Sequence, residues 1–356
     1  LDKLDTYGAF SDETLTYSAA QTFPVGTLLD KGNAAYDVKA YGATGDGTTD
    51  DTTAIQSAFT AACAGNKHVL IPGPSSSYVL RSPGITVGCS GLTVTCTGGA
   101  TLYWDTLVGG AAVVDMILVS GYDDFTIEGC TFQQTNTTAT FSSAYEQNNP
   151  LGFKNADRAR IRRNKFLDIW GNSAINLRPS TTTGSDSSDD AVIEGNYFAR
   201  CAVYGVAVIS GKRNLVVDND AEDCALGTET NNTNNVAAEN AFDRNRLRSV
   251  VKTADTTYPT MLTTGSRDSD DVGNTITNNT LDGGYILASG AQRVRIEGNT
   301  VRNWTSTDPN RSPIFLTNVQ NARISRNTLD GTTFAAAVTN GRGLLSLVGV
   351  TDAEVV

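Results

Sequence analysis

A short pattern recurs along the chain and limits what it can fold into more than any other feature. Each copy reads as an apolar residue, two variable residues, Asn, one variable residue and usually a second apolar residue. The central residues of the seven copies are Asn164, Asn196, Asn219, Asn245, Asn279, Asn299 and Asn327. An earlier copy has Cys130 in this place. Successive asparagines are 32, 23, 26, 34, 20 and 28 residues apart, so the repeat has a minimum length and tolerates insertions.

The shortest spacings fit one coil of three short strands and three turns, and the longer spacings indicate loops inserted in particular coils. Each strand would bury alternate side chains inside the coil. Stacked coils would place equivalent residues above one another. Asn suits such a turn because it tolerates left-handed backbone and its amide can bond to neighbouring coils. The sequence therefore predicts an all-β fold, a right-handed single-stranded parallel β-helix. A propeller or a leucine-rich array would need a blade signature or a Leu period, and neither is present.

The cysteines add one expectation about stacking. Cys201 and Cys224 each lie five residues after their Asn, which places them at equivalent positions one coil apart. We interpret them as a pair of small buried hydrophobic residues rather than a disulfide. A bridge among Cys63, Cys89 and Cys96 is possible, and no spacing is typical of a metal site.

The N-terminal part of the repeat region predicts a cap. A strand over Val38–Tyr41 leads into a Gly-rich turn, and Asp50 or Asp51 begins a helix over about residues 51–63. Such a helix would cover the open apolar end of the stack. Asp46, Asp50 and Asp51 could be interpreted as catalytic or calcium-binding carboxylates, but turn formation and helix capping explain them better.

Residues 41–55, which read YGATGDGTTDDTTAI, resemble the N-terminal motif of the pectate-lyase-like superfamily of β-helices. The superfamily includes secreted pectinases, glucanases and epimerases, and the tailspike depolymerases of bacteriophages. The resemblance extends over about residues 36–356 through the coil pattern. Residues 1–35 are similar to the neck of phage tailspikes, and the last coil, at 350–356, looks incomplete. The resemblance implies a polysaccharide substrate, a homotrimer and a place outside the cell or on a phage tail.

Charge and composition limit the classes of molecule that this protein can bind. A net charge of -11 argues against nucleic acid or an anionic membrane surface as a partner. It leaves an acidic polysaccharide open, because one local basic groove would be sufficient. No apolar run approaches the ~20 residues of a membrane-spanning helix. His68 is the only histidine, so a His-based catalytic triad or zinc site is not expected.

In the superfamily the substrate groove usually runs along one parallel sheet. We place that sheet on the strands about ten residues after each Asn turn: 173–178, 205–210, 227–232, 259–264, 285–289, 313–317 and 344–348. Alternation then points Asn176 and Ala207 outward, with Glu229 as their equivalent in the next coil. Glu229 is thus the first candidate for a catalytic carboxylate, although an ordinary solvated strand residue is the alternative.

The other candidates lie on neighbouring loops. Asp255, in the inserted loop 251–259, is the second catalytic candidate, and Asp223 before its strand is the third. Glycoside hydrolysis needs two such carboxyl groups. The candidates for substrate binding are Asn176, Arg178, Lys252, Tyr258, Tyr145 and Glu146.

Two alternatives to hydrolysis remain open. A lyase or epimerase acting on uronates would need a basic residue, for which Arg178 or Lys252 could serve. The second alternative is that the chain is a non-catalytic β-helix, which either binds glycans or has a structural role. No cofactor is expected, although Asp189–Asp190 or Asp270–Asp271 could hold calcium through oxygen ligands.

Polygalacturonases carry Asn-x-Asp, Asp-Asp, His-Gly and Arg-x-Lys groups, and the positions expected for the first two read GNSA at 171–174 and VYG at 203–205. The usual pectinase site is therefore absent. We expect a depolymerase that hydrolyses a bacterial surface glycan, either a capsule or an O-antigen.

Overall fold

A computed structural model describes most of the chain: residues 27–30, 33–73, 76–105, 114–134, 148–180, 186–228, 236–252, 259–265, 271–306, 311–331, 333–334 and 344–356. Three long sheets wind around one apolar core. Except for one antiparallel pair at the N-terminal end, strands pair in parallel between successive coils. This arrangement confirms the predicted parallel β-helix.

Sheet A carries the strand that precedes each Asn turn. Its strands are Thr27–Asp30, Asn33–Asp37, His68–Ile71, Thr93–Cys96, Thr126–Glu128, Arg160–Arg162, Val192–Glu194, Leu215–Val217, Ala241–Asp243, Thr275–Thr277, Arg295–Glu297, Arg323–Ser325 and Glu354–Val355. The first two form the antiparallel pair, which lies largely within the predicted neck segment.

Sheet B follows the Asn turn. Its strands are Tyr78–Leu80, Thr101–Trp104, Thr131–Gln134, Lys165–Ile169, Tyr197–Cys201, Asp220–Glu222, Arg246–Arg248, Thr280–Asp282, Thr300–Arg302 and Thr328–Asp330. Phe132, Phe166 and Phe198 stack inside it with ring centroids 5.0 Å apart. Equivalent positions therefore do lie above one another, as the repeat predicts.

Sheet C completes each coil. Its strands are Ile85–Val87, Val114–Ser120, Asn148–Lys154, Ser173–Arg178, Tyr204–Val208, Ala225–Thr228, Met261–Thr264, Tyr285–Ser289, Ile314–Thr317 and Leu345–Val348. Two short pairs, Gly211–Lys212 with Ala237–Ala238 and Thr305–Ser306 with Thr333–Phe334, lie outside the three sheets. Sheet C is the sheet predicted to carry the groove.

The asparagines form a continuous ladder. The side-chain oxygen of each one accepts hydrogen bonds from the backbone and side-chain N–H groups of the Asn in the preceding coil, as between Asn196 and Asn219. Its amide nitrogen also donates to a carbonyl, as Asn219 does to Ile193 at 2.9 Å. Cys130 occupies the first place in the ladder, where its N–H donates to Asn164. Buried polar groups are thereby satisfied along the whole turn.

The cysteines form three disulfides: Cys63–Cys89, Cys96–Cys130 and Cys201–Cys224. The interpretation of the last pair as two unbonded hydrophobic residues is wrong. Equivalent positions on successive coils lie about one strand spacing apart. The Cα atoms of Cys201 and Cys224 are 5.0 Å apart, a separation that allows the bond.

The predicted capping helix spans Thr52–Ala64 and buries Ile55, Phe59 and Ala62 against the first coils. The Asp50 carboxylate accepts from the N–H of Thr52 at 3.0 Å. The segment Val38–Tyr41 is a 3-10 turn rather than the predicted strand, because the strand ends at Asp37, whose carboxylate accepts from the N–H of Lys39.

The Asp51 carboxylate accepts from the N–H groups of Thr44 at 2.6 Å and Gly45 at 3.1 Å. Asp46 accepts from the N–H groups of Thr48 and Thr49. These aspartates therefore shape the turn and the start of the helix, as interpreted from the sequence.

Candidate functional site

The register of sheet C decides which residues face outward together. Asn176 pairs with Ala207, and Ala207 pairs with Gly227. The described strand that contains Gly227 is Ala225–Thr228. The predicted alignment of Glu229 with Asn176 is therefore wrong by two residues.

A β-bulge accounts for one residue of this error, and the shorter turn between Cys224 and Ala225 accounts for the other. Tyr204 pairs with Ala225 and Val206 with Leu226, so Gly205 is an extra residue on its strand. Sequence counting alone cannot detect such an insertion. Glu229, Asp255, Tyr258, Tyr145 and Glu146 lie outside the described residues, and their roles stay predictions.

A buried ion pair crosses the outer face of sheet C. Arg178 donates through Nη2 to Oδ2 of Asp115, 63 residues earlier in the chain, and their side chains are 9% and 2% exposed. The strand between them passes Gly152, where an added Cβ would lie 2.3 Å from the Asp115 carboxyl carbon. Glycine at this position therefore leaves the space that the Asp115 carboxylate occupies.

The side-chain amide of Asn149 fixes the orientation of the Asp115 carboxylate. Asn149 donates through Nδ2 to Oδ1 of Asp115 at 3.2 Å. The Asn149 side-chain oxygen in turn accepts from the N–H of Ser173 at 3.2 Å and from its hydroxyl at 3.3 Å. Both carboxylate oxygens of Asp115 are thus engaged, which makes it a residue that positions Arg178.

Several polar atoms in this cluster remain available. Nε and Nη1 of Arg178 and Oδ1 of Asn176 are buried and have no hydrogen-bond partner among the described residues. Such atoms are costly unless a water or a ligand satisfies them. The cluster therefore offers two donors and one acceptor on the outer face of sheet C.

Lys154 adds a second cation beside Arg178, with which it is paired in register. Burial lowers the pKa of the Lys154 ammonium, and the nearby Arg178 lowers this pKa further, while Asp115 opposes both effects. The three charged groups sum to one net positive charge. This charge balance favours an anionic or strongly polar group as the ligand.

Asp223 and Lys252 lie at the corner between sheets B and C and are already bonded within the chain. The Asp223 carboxylate accepts from the N–H groups of residues 250, 251 and 252 at 2.8 to 3.1 Å. The Lys252 ammonium donates to the carbonyls of Cys201 at 2.8 Å and Ala202 at 3.0 Å. These bonds fix the segment 250–252 over the Cys201–Cys224 disulfide, and a substrate role for either residue stays a prediction.

The candidate calcium ligands also have internal partners. Asp189 accepts from the N–H of Lys212 at 2.9 Å, and Asp190 accepts from Arg213 at 2.7 and 2.8 Å. Asp271 accepts from the hydroxyl of Thr228 at 2.7 Å. In the part of the chain that the structure describes, no three His, Cys, Asp or Glu residues are grouped for a metal. Asp270 lies outside that part, and calcium binding stays a prediction.

Sequence reasoning missed Asp115, Asn149 and Lys154. The copy of the pattern centred on Cys130 could have indicated the strand Asn148–Lys154, but the long insertion after Gln134 obscured the count. Asp115 lies one coil earlier still, where no Asn marks the turn.

Comparison with known proteins decides the family. Residues 114–256 and 151–303 match the family described as right handed beta helix region, and together they span more than half of the chain. The chain belongs to this family. A search of curated proteins found no match.

Solved structures agree on the fold. A surface adhesin of Streptococcus pneumoniae, PfbA, aligns with 14% identity and a TM-score of 0.53 over 84% of this chain and 90% of that chain. ORF18 of Geobacillus virus E2 aligns with 14% identity and a TM-score of 0.56 over 90% of this chain and 60% of that one. DFA-IIIase from Arthrobacter chlorophenolicus A6 aligns with 14% identity and a TM-score of 0.52 over 86% of this chain and 87% of that chain.

The predicted resemblance to the pectate-lyase-like β-helices is thereby confirmed for the fold. Among the described residues, no helix has the length and apolar character needed to cross a membrane.

Proposed function

We propose that this β-helix is a polysaccharide depolymerase of tailspike type that hydrolyses a bacterial surface glycan on the outer face of sheet C. One observation carries the proposal: Asn176 and Arg178, which Asp115 holds in place, have buried polar atoms without a partner among the described residues. They would bind the hydroxyl or carboxylate groups of one sugar unit.

Hydrolysis would use Glu229 and Asp255 as the carboxyl pair, one as acid and the other as base or nucleophile. The acid must hold its proton near neutral pH, which burial or a neighbouring carboxylate can achieve. Asp223 is less suited, since its oxygens accept three backbone N–H groups. The structural likeness to a viral protein and to a surface adhesin agrees with a place outside the cell or on a virion. The homotrimer implied by the tailspike resemblance is the assembly to test.

The test is digestion of a panel of bacterial capsules, O-antigens, pectin and alginate, with the products sized by mass spectrometry. We expect saturated oligosaccharides from a bacterial surface glycan and an activity loss of about 100-fold or more for Glu229→Gln and for Asp255→Asn. Asn176→Ala should lower kcat/KM about tenfold with an unchanged melting temperature, because its Oδ1 has no partner to lose.

Thr263→Ala is the matched control, because Thr263 lies in the same outward column of sheet C. It should keep full activity. Cleavage that survives both carboxylate substitutions would exclude the proposed pair. Binding without cleavage of any polymer would favour a glycan-binding scaffold.

Lys154 favours a second candidate, a lyase acting on uronates. A lysine with a lowered pKa next to an arginine could take the proton beside a uronate carboxylate while Arg178 neutralises that carboxylate. The C–O bond to the next sugar would then break, leaving an unsaturated product lighter by one water than the hydrolysis product. Such products, abolished by Lys154→Met and retained in Glu229→Gln, would replace the hydrolase assignment.

A further inference from the structure

A second polar site lies on the outer face of sheet B. A cavity of about 120 Å³ is lined by Tyr197, Asp220, Glu222, Arg246 and Arg248. These residues come from three successive strands, so the site is made by stacking and not by a single loop. None of them belongs to the sheet C cluster.

The register arranges these side chains in two columns. Tyr197, Asp220 and Arg246 are directly opposite one another in the first column. Glu222 and Arg248 are opposite one another in the second column, where Ala199 precedes them.

The two columns differ in whether their charged side chains form ion pairs within the chain. In the second column Arg248 forms an ion pair with Glu222, and the Tyr197 hydroxyl also hydrogen-bonds to Glu222. In the first column Asp220 and Arg246 form no ion pair with any residue that the structure describes, although they occupy adjacent strands. Both are exposed. Their carboxylate and guanidinium are therefore available to a ligand.

We infer that this cavity is a secondary glycan-binding site that takes a neutral sugar unit with vicinal hydroxyl groups. The hydroxyls can donate to the Asp220 carboxylate and accept from Arg246. The Tyr197 ring, fixed at its hydroxyl by Glu222, offers an apolar face to the C–H groups of the sugar.

The charge balance selects the ligand class. The cavity contains two carboxylates and two guanidinium groups, so it carries no net charge and favours neither an anionic nor a cationic ligand. This differs from the sheet C cluster, which has one net positive charge. The inference does not depend on the reaction at sheet C.

The test is affinity electrophoresis of the intact protein in native gels containing dextran, galactomannan, arabinoxylan or alginate. We expect retardation by at least one of the three neutral polymers. Tyr197→Ala and Asp220→Asn should each weaken that binding about tenfold, and Tyr197→Phe, which keeps the ring, should weaken it about threefold or less.

Two controls separate this site from sheet C. Thr300→Ala, which lies further along the first column, and Asn176→Ala on sheet C should both retain binding of the neutral polymer. Circular dichroism of every variant checks the fold.

Three outcomes would overturn the inference: retardation by alginate only, no retardation by any polymer, or retardation unchanged in Tyr197→Ala and Asp220→Asn. Binding lost in Asn176→Ala and kept in Tyr197→Ala would also overturn it, and would leave the proposed hydrolysis at sheet C standing.

Discussion

Individual charged residues in this protein act through partners on other coils. Arg178 and Asp115 are far apart in the chain and meet only because Gly152 lets the carboxylate pass over the strand between them. Lys252 and Asp223 form a comparable contact at a corner, where one segment is bonded to the coils beneath it. Because such buried groups have few alternatives to their present partners, removing one partner should have a large effect.

Lys252 should make stability depend on pH in the alkaline range. Burial lowers the pKa of its ammonium to about 8 from the ordinary 10.5, and Asp223 opposes the shift. Between these values the unfolded chain binds more protons than the folded one, so the free energy of unfolding rises with pH. We expect the native protein to gain about 2 kcal/mol relative to Lys252→Met between pH 7.5 and 9.5.

Urea unfolding of both proteins at several pH values measures the difference, in which the titration of other groups cancels. Parallel pH curves for the native protein and Lys252→Met would contradict the assignment.

At the scale of the element, the asparagine ladder is the device that joins each coil to the next. A second, shorter ladder of Asn214, Asn240 and Asn274 runs beside it before the sheet A strands. The Asn240 side chain bonds to the coils on both sides, because its amide nitrogen donates to the carbonyl of Gly211 in the preceding coil and to the side-chain oxygen of Asn274 in the following one. A turn that repeats with the same residue therefore stabilises stacking through hydrogen bonds as well as through apolar contact.

Asn219→Ala should be strongly destabilising. The change removes the acceptor for the N–H and side chain of Asn196 and the donor to the carbonyls of Ile193 and Val217, all in a buried place. We expect a loss of about 3–5 kcal/mol in the free energy of unfolding.

Asn327→Ala is the matched control, because this residue ends the described ladder and is only half-buried. It should cost about 1 kcal/mol. Equal losses at both positions, measured by denaturant unfolding, would contradict a role that depends on burial in the ladder.

Across the whole molecule, covalent and non-covalent links are unevenly distributed. The three disulfides all lie between Cys63 and Cys224; Cys63–Cys89 joins the capping helix to the stack, and the other two join neighbouring coils. The described coils after Cys224 rely on the ladders, the core and surface ion pairs such as Arg302–Asp282. In a stack whose coils contact only their neighbours, stability is a sum of local terms.

Reduction of the disulfides should therefore loosen one half of the molecule selectively. We expect amide hydrogen exchange to increase in residues 63–224 and to change little in residues 271–331, since each bridge contributes about 2–4 kcal/mol to the coils it joins. Exchange mapped by mass spectrometry with and without a reducing agent measures this. Uniform loss of protection along the chain would show that the helix unfolds as one cooperative unit.

The fold could be predicted because its signals are local. The Asn pattern and the alternation of apolar residues determine the coil, and the cap segment determines the helix Thr52–Ala64. Each signal lies within a few residues and needs no knowledge of distant contacts. Six of the seven predicted strands of sheet C agree with the structure to within two residues for the same reason, and the seventh, 227–232, begins two residues late and continues outside the described residues.

The residues that form the candidate site could be identified only from the tertiary structure. The bulge at Gly205 shifts the register by one residue and helps to place Gly227, rather than Glu229, opposite Ala207, although nothing in the local sequence marks it. The meeting of Asp115 with Arg178 and the Cys201–Cys224 bond arise between coils. An insertion after Gln134 separates Asp115 from Arg178, so counting along the chain cannot place them together, and counting that does align the two cysteines cannot show that they are bonded. Only the stacked coils decide which side chains lie together.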